Sequence, residues 1–153
     1  YNIILKKIKG KWISIKIEVP EDKIILLDLN YTLISNSRTS SGPYPERIHK
    51  QEYEEGLIKA VENNYVILIT ARPLKYKEET LEHIKEETGF VPDESYWNIG
   101  MNPPELKKYW LKNKIYPEHG KDSSKYFAIE SNPKTRRMYK KEEIVAYPKE
   151  KII

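Results

Sequence analysis

The stretch Lys23-Ile24-Ile25-Leu26-Leu27-Asp28-Leu29-Asn30-Tyr31-Thr32-Leu33 decides the fold. Its first residues run apolar without alternation and stop at a carboxylate. A strand with one wet face alternates apolar and polar side chains, whereas a strand covered by helices on both faces reads as a continuous apolar run. Two later stretches repeat the pattern. Tyr65-Val66-Ile67-Leu68-Ile69 stops at Thr70, and Tyr126-Phe127-Ala128-Ile129 stops at Glu130. Three buried strands ending on Asp28, Thr70 and Glu130 place three polar groups at one end of a sheet. In open α/β sheets that end, beyond the strand carboxyl termini, is where ligands bind.

Between the strands the periodicity turns helical. Helices are expected over Gln51–Asn63, with Leu57, Ile58 and Val61 apolar, and over Tyr76–Thr88, stopped by Gly89. Another is expected over Glu105–Lys114, opened by Pro103-Pro104. A basic helix, Lys134–Lys141, follows Ser131-Asn132-Pro133, which reads as an N-cap and first turn. Residues 35–47 are a polar loop, and Ile144–Tyr147 is a fourth strand. Ahead of them all, Ile13, Ile15, Ile17 and Val19 alternate with polar residues, so this strand is expected to bury one face. Ile3–Ile8 pairs with it through a Lys9-Gly10 turn. Strands alternating with helices predict an α/β three-layer sandwich around a mostly parallel sheet. Residues 1–22 form a hairpin extension and 23–153 the main domain.

At 153 residues the chain has the length of one domain. It carries 27 Lys+Arg against 23 Asp+Glu, a mild lean toward a polyanionic partner. There is no cysteine, which removes thiolate metal sites and Cys nucleophiles and fits a reducing, cytoplasmic setting. No apolar run approaches the ~20 residues that span a bilayer, and no leader is visible, so no membrane partner is expected.

The chemistry follows from the strand ends. A carboxylate such as Asp28, beside a divalent cation, can attack phosphorus and form an aspartyl-phosphate. Asp28 as a turn cap is the plainer alternative. A calcium loop does not fit, because Leu33 stands where that loop needs Gly and an apolar strand replaces the preceding helix. Thr70 can hold a phosphoryl oxygen, helped by free amides at a following helix start. Lys107 can neutralise charge on nucleophile and phosphate, and Glu130 offers Mg²⁺ a hard oxygen.

In this order and placement the chain resembles the haloacid dehalogenase superfamily of phosphohydrolases, whose pattern is Asp-x-Asp-x-Thr, a strand-end Thr or Ser, a Lys, and a later acidic motif. The resemblance covers roughly residues 23–147. Within the superfamily it looks closest to the phosphatase domain of bacteriophage polynucleotide kinase-phosphatases. The carriers are the loop-rich stretch after the first motif, the Trp-bearing helix around Lys107 and the Pro-Lys-Thr-Arg-Arg-Met-Tyr helix. The resemblance implies a Rossmann-like fold without a large cap and Mg²⁺-dependent hydrolysis of phosphomonoesters, with a nucleic-acid end or nucleotide as substrate. It implies that Asp28 is nucleophile and metal ligand, that Asn30 gives its main-chain carbonyl to Mg²⁺, and that Glu130 completes the metal set. Thr70 and Lys107 would bind the phosphoryl group, with Lys108 the rival lysine. Thr32 and Arg72 are further candidates for contacting substrate.

Two positions depart from the pattern. Asn30 stands where the family usually has a second Asp as general acid and base, and an amide can neither give nor take that proton. Glu130-Ser131 replaces a frequent Asp-Asp, which weakens the support around the ligands. Both favour a rival expectation, a phosphate- or nucleic-acid-binding domain without turnover. The basic helix bearing Lys134, Arg136, Arg137, Lys140 and Lys141 is either a solvated face or a phosphate-backbone contact. Tyr31, Tyr44 and Tyr76 are candidates for stacking on bases. His49, His83 and His119 have no ligand spacing and read as structural. Gly120-Lys121-Asp122-Ser123-Ser124 lacks the first Gly of a P-loop, so no kinase half is expected.

Overall fold

The structure is a computed structural model that describes residues 3–153, except that the side chains of 13–15 lie outside the description. The first pair of strands, β1 (Ile3–Ile8) and β2 (Lys11–Ile17), forms an antiparallel hairpin and a sheet of its own. Lys9 and Gly10 make its turn with φ of 50° and 80°, the positive values that a tight hairpin turn demands. The expected one-sided burial is met at Ile17 and Val19. At Ile13 and Ile15 it falls outside the described side chains.

The main sheet comprises β3 (Ile24–Leu27), β4 (Tyr65–Pro73), β5 (Glu94–Asn98), β6 (Tyr126–Ile129) and β7 (Val145–Tyr147). The strands lie in the order β5-β4-β3-β6-β7 and every pairing is parallel. On one face lie α1 (Glu46–His49), α2 (Glu55–Ala60) and α3 (Lys77–Thr88). On the other lie α4 (Pro103–Trp110), α5 (Tyr116–His119) and α6 (Pro133–Lys141). The unbroken apolar run of β3 now has its reason. Ile25 and Leu27 pack with Leu57, Val61 and Ile84 on the first side, while Leu26 packs with Leu111, Tyr139 and Met138 on the second. Each such fully buried side chain is worth ~1.5–3 kcal/mol relative to exposure.

The chain moves outward from β3 to β4 and β5, then crosses back to lay down β6 and β7 on the other side. Strand order therefore reverses between β3 and β6, the place where open α/β sheets bind ligands. Register puts Asp28 and Glu130 level there, since Leu27 pairs with Ile129 and Asp28 N donates to Ile129 O at 3.0 Å.

Several elements differ from expectation. The helix over Gln51–Asn63 shrinks to α2, because residues 52–54 pair instead with 33–35. Ser35 N donates to Glu52 O at 2.9 Å, Glu54 N donates to Leu33 O at 2.8 Å, and Ile34 bridges Tyr53. Strand β4 does not stop at Thr70 but runs to Pro73, so no helix start follows Thr70 directly. β5 was not expected as a strand, since Glu94-Ser-Tyr-Trp-Asn is mostly polar. Only Trp97 of it is fully buried. Asn132 does cap α6, its side chain accepting from Lys134 N at 2.9 Å. Among the described residues no helix is long and apolar enough to cross a membrane.

Candidate active site

Asp28 leaves β3 and enters a single π-type turn, Leu29–Leu33, closed by Ile34 N donating to Leu29 O at 3.0 Å. Asn30 is extended and Tyr31 takes the left-handed conformation at φ 59°, uncommon for a residue with a side chain. This kink leaves the Tyr31 side chain 52% exposed and holds its N–H on Ser37 Oγ at 2.8 Å. The turn also brings Thr32 back under the carboxylate that precedes it. The Thr32 hydroxyl donates to Asp28 Oδ2 at 2.8 Å.

Lys107 arrives from α4, within the crossover that spans the switch point. Its ammonium is 2% exposed and lies 2.8 Å from Asp28 Oδ1 and 2.5 Å from Glu130 Oε1. Glu130 is as deeply buried, and its second oxygen accepts from Asn132 N at 3.1 Å. Ser131 Oγ lies 2.9 Å from Asp28 Oδ2 and 3.2 Å from the main-chain oxygen of Asn30. Arg136 fastens this corner from α6, its guanidinium donating to Glu130 O at 2.9 Å and Ser131 O at 2.7 Å.

The electrostatics separate the two carboxyl groups. Burial pushes Asp28 toward the protonated form, but the Lys107 ammonium and bonds from Glu130, Lys107 and Thr32 outweigh it and hold Asp28 below the usual carboxylate range. For Glu130 burial wins. With Asp28 adding repulsion and Lys107 only partly offsetting it, Glu130 is pushed up to about 7. Burial would lower Lys107, yet Asp28 and Glu130 together raise it. The result is an ionised carboxylate held ready at a strand end beside a fixed cation.

The expected residues separate into two groups. Lys107 joins Asp28 and Glu130, and the Asn30 carbonyl is linked to Asp28 through the Ser131 hydroxyl. Lys108 does not join them: it is the next residue on α4 and faces solvent. Thr32 and Arg72, expected to touch substrate, have their polar groups engaged within the protein. Thr32 serves Asp28. Arg72, 1% exposed, donates to Asn30 Oδ1, Gln51 Oε1 and Thr80 Oγ1, each at 3.0 Å. Thr70 is buried on β4, and its hydroxyl accepts from Arg72 N at 3.0 Å. The Tyr44 ring covers the Arg72 guanidinium at 5.0 Å and that of Arg47 at 4.8 Å, with Tyr76 packed against it at 4.4 Å. Gln51 and Thr80 carried no signal in the sequence, because a lone amide or hydroxyl on an element looks like surface. Ser131, which in the sequence stands out only as a departure from a pattern, orients Asp28 Oδ2 as directly as Thr32 does.

The oxygens that could hold a hard divalent cation are those of Asp28, the Asn30 main chain and Glu130. Asp28 Oδ2 and the Asn30 carbonyl converge on one atom, the Ser131 hydroxyl, and Glu130 lies level with Asp28 across Lys107. Among the described residues no three His, Cys, Asp or Glu side chains gather as a metal cage. Mg²⁺ does not need one, since it binds through one or two carboxylates and keeps several waters.

No family model matches the sequence, and no curated protein matches it. Among solved structures the chain is similar to one from the RNA repair complex of Pnkp1, Rnl and Hen1, with a TM-score of 0.64 and 18% identity. The match covers 83% of this chain and 42% of that one, so this chain spans less than half of its neighbour's length. The likeness is one of fold.

Proposed function

We propose that this chain is a phosphohydrolase in which Asp28 is the nucleophile and a phosphate monoester at a nucleic-acid end is the substrate. The observation that carries the reading is the Asp28 carboxylate itself. It stands at the switch point of a parallel sheet, kept ionised by a buried ammonium and oriented by two hydroxyls. The order of motifs along the chain, like that of the haloacid dehalogenase superfamily, supports the same reading, as does a fold shared with a component of an RNA repair complex.

In the first step an Asp28 oxygen forms a bond to phosphorus as the ester P–O bond breaks, and the departing alkoxide takes a proton from water to leave as the alcohol. Water then attacks phosphorus of the aspartyl-phosphate as the acyl C(O)O–P bond breaks, giving up a proton to bulk solvent, releasing inorganic phosphate and restoring the carboxylate. Lys107 offsets negative charge on the phosphoryl oxygens and holds Asp28 in place. Thr32 and Ser131 fix the carboxylate's orientation, and limiting that freedom lowers the barrier. Asp28, the Asn30 carbonyl and Glu130 would hold Mg²⁺, which supplies charge neutralisation and orientation of the phosphate when bound. Asn30 leaves both steps without a carboxyl acid and base at that position, so the second step is slow and the phosphorylated form lives long.

A direct test is acid quenching of the chain mixed with Mg²⁺ and a phosphate ester, followed by peptide mapping. Phosphate on the peptide containing Asp28 supports the reading. Turnover without it, or phosphate on another residue, refutes it. The rival reading, binding without turnover, is favoured by one observation: the Asn30 amide oxygen is tied to Arg72 at 3.0 Å, and an amide has no titratable proton to give a leaving group.

A further inference from the structure

Beside the site lies a groove of about 550 Å³ that no step above uses. One wall is α6, with Arg136, Arg137 and Lys140 in its lining. The floor is the outermost strand, with Val145 and Tyr147, and Ile144 just before it. We propose that this groove carries single-stranded nucleic acid away from Asp28, and that Arg137 and Lys140 hold its phosphates. This rests on the reading of Asp28 as the seat of a terminal phosphate.

Three observations favour that occupant. The first is continuity. The groove begins at Pro133 and Arg136, and Arg136 bonds the carbonyls of Glu130 and Ser131. A polymer whose end sits at Asp28 meets this groove next.

The second is charge. All nine residues of α6 are without an acid, and five of them are Lys or Arg. Positions 133, 136, 137 and 140 share one helix face by their spacing, and this is the face that lines the groove. Arg137 and Lys140 are exposed, and among the described residues neither has a carboxylate within ion-pair distance. The nearby Glu142 is engaged by Lys112 at 2.7 Å. Glu143 is the one acid in the lining.

The third is the floor. Val145 is 38% exposed and Tyr147 half-buried, an apolar surface for sugars and base faces while the phosphates turn to the cationic wall. An acidic peptide adding to the sheet edge is less well served, because β7 is only three residues long and offers few ladder bonds.

The test measures anisotropy of a labelled dinucleotide and octanucleotide, each ending in a 3′-phosphate, over a range of salt. The octanucleotide binds the native chain more tightly. In Arg137→Ala/Lys140→Ala it loses that advantage, and the slope of log K against log salt falls by roughly 1.4, about 0.7 for each of two phosphates on a single strand. Val145→Glu, which puts a charge on the floor, also weakens the octanucleotide. Equal binding of the two lengths, or an unchanged slope in the double variant, overturns the proposal. It is also overturned if a glutamate-rich peptide loses affinity in that variant while the octanucleotide does not. Hydrolysis of an aryl phosphate by the native chain separates this outcome from the site reading. Hydrolysis without a length advantage sinks the groove alone. A length advantage that needs Arg137 and Lys140, in a chain that hydrolyses nothing, supports the groove and sinks the site.

Discussion

The Lys107 ammonium lies 2.8 Å from Asp28 and 2.5 Å from Glu130, with all three side chains buried at the junction of β3 and β6. Removing the cation leaves two carboxyl groups facing each other out of water. Breaking a buried pair by deleting one partner costs ~3–5 kcal/mol. Lys107→Met is therefore expected to lower the urea midpoint by that equivalent without changing the slope, and to abolish phosphate release. A variant that keeps both would show that Lys107 is neither a structural nor a chemical partner of Asp28.

Asn30 and Arg72 supply a second prediction. Among the described residues, the side-chain acceptors on the terminal nitrogens of the buried guanidinium are the neutral Asn30, Gln51 and Thr80. Asn30→Asp places a carboxylate on Arg72, two residues after Asp28, where the proposed reaction would use a general acid and base. Turnover should rise by ~10²–10⁴-fold, the usual worth of a general acid and base. Steady-state phosphate release measures this directly.

Arg72→Lys is expected to fail as a replacement. A single ammonium cannot reproduce the planar fork that reaches three acceptors on three segments. Each buried acceptor left unpaired costs ~1–3 kcal/mol. Thermal unfolding should show the loss, with Gln51→Ala in the Arg72→Lys background costing little more, because the two share one network.

The sequence made some of this legible and hid the rest, for identifiable reasons. Asp28 and Glu130 could be found because buried parallel strands announce themselves as apolar runs, and a charge at the end of such a run has few structural explanations. Lys107 could be placed on a helix but not told from Lys108, since the choice depends on a rotation of about 100° that only packing against β3 and β6 sets. Strand β5 was hidden by polar Glu94, Ser95 and Asn98 at the sheet's edge. The Arg72 network was hidden because its members come from β4, α3, the turn after β3 and the segment between α1 and α2. Tertiary pairing of residues 52–54 with 33–35 overrode a helical pattern that locally looked sound.

The far end of the sheet gives a pH prediction. Glu94 accepts from Tyr65 Oη at 2.7 Å and Tyr96 Oη at 2.8 Å, and His119 Nε2 lies 2.5 Å away. Burial raises its pKa, but the two hydroxyls and His119 outweigh that and hold it below the ordinary glutamate value of 4.5. Below that value the unfolded chain binds the proton more readily than the fold does. The stabilisation is thus complete above pH 4.5 and is lost as pH falls through the folded pKa. Urea midpoints between neutral and acid pH should fall less steeply for Glu94→Gln than for the native chain. Parallel curves would show that Glu94 is not held in its ionised form.

The central claim is that Asp28 attacks phosphorus, and the most direct measurement is Mg²⁺-dependent phosphate release from a 3′-phosphorylated oligonucleotide, a 5′-phosphorylated one and an aryl phosphate. The native chain, Asp28→Asn and Asn30→Asp are run side by side. The account predicts slow release by the native chain, faster release by Asn30→Asp and none by Asp28→Asn. Release that survives in Asp28→Asn, or silence from both the native chain and Asn30→Asp, would contradict it.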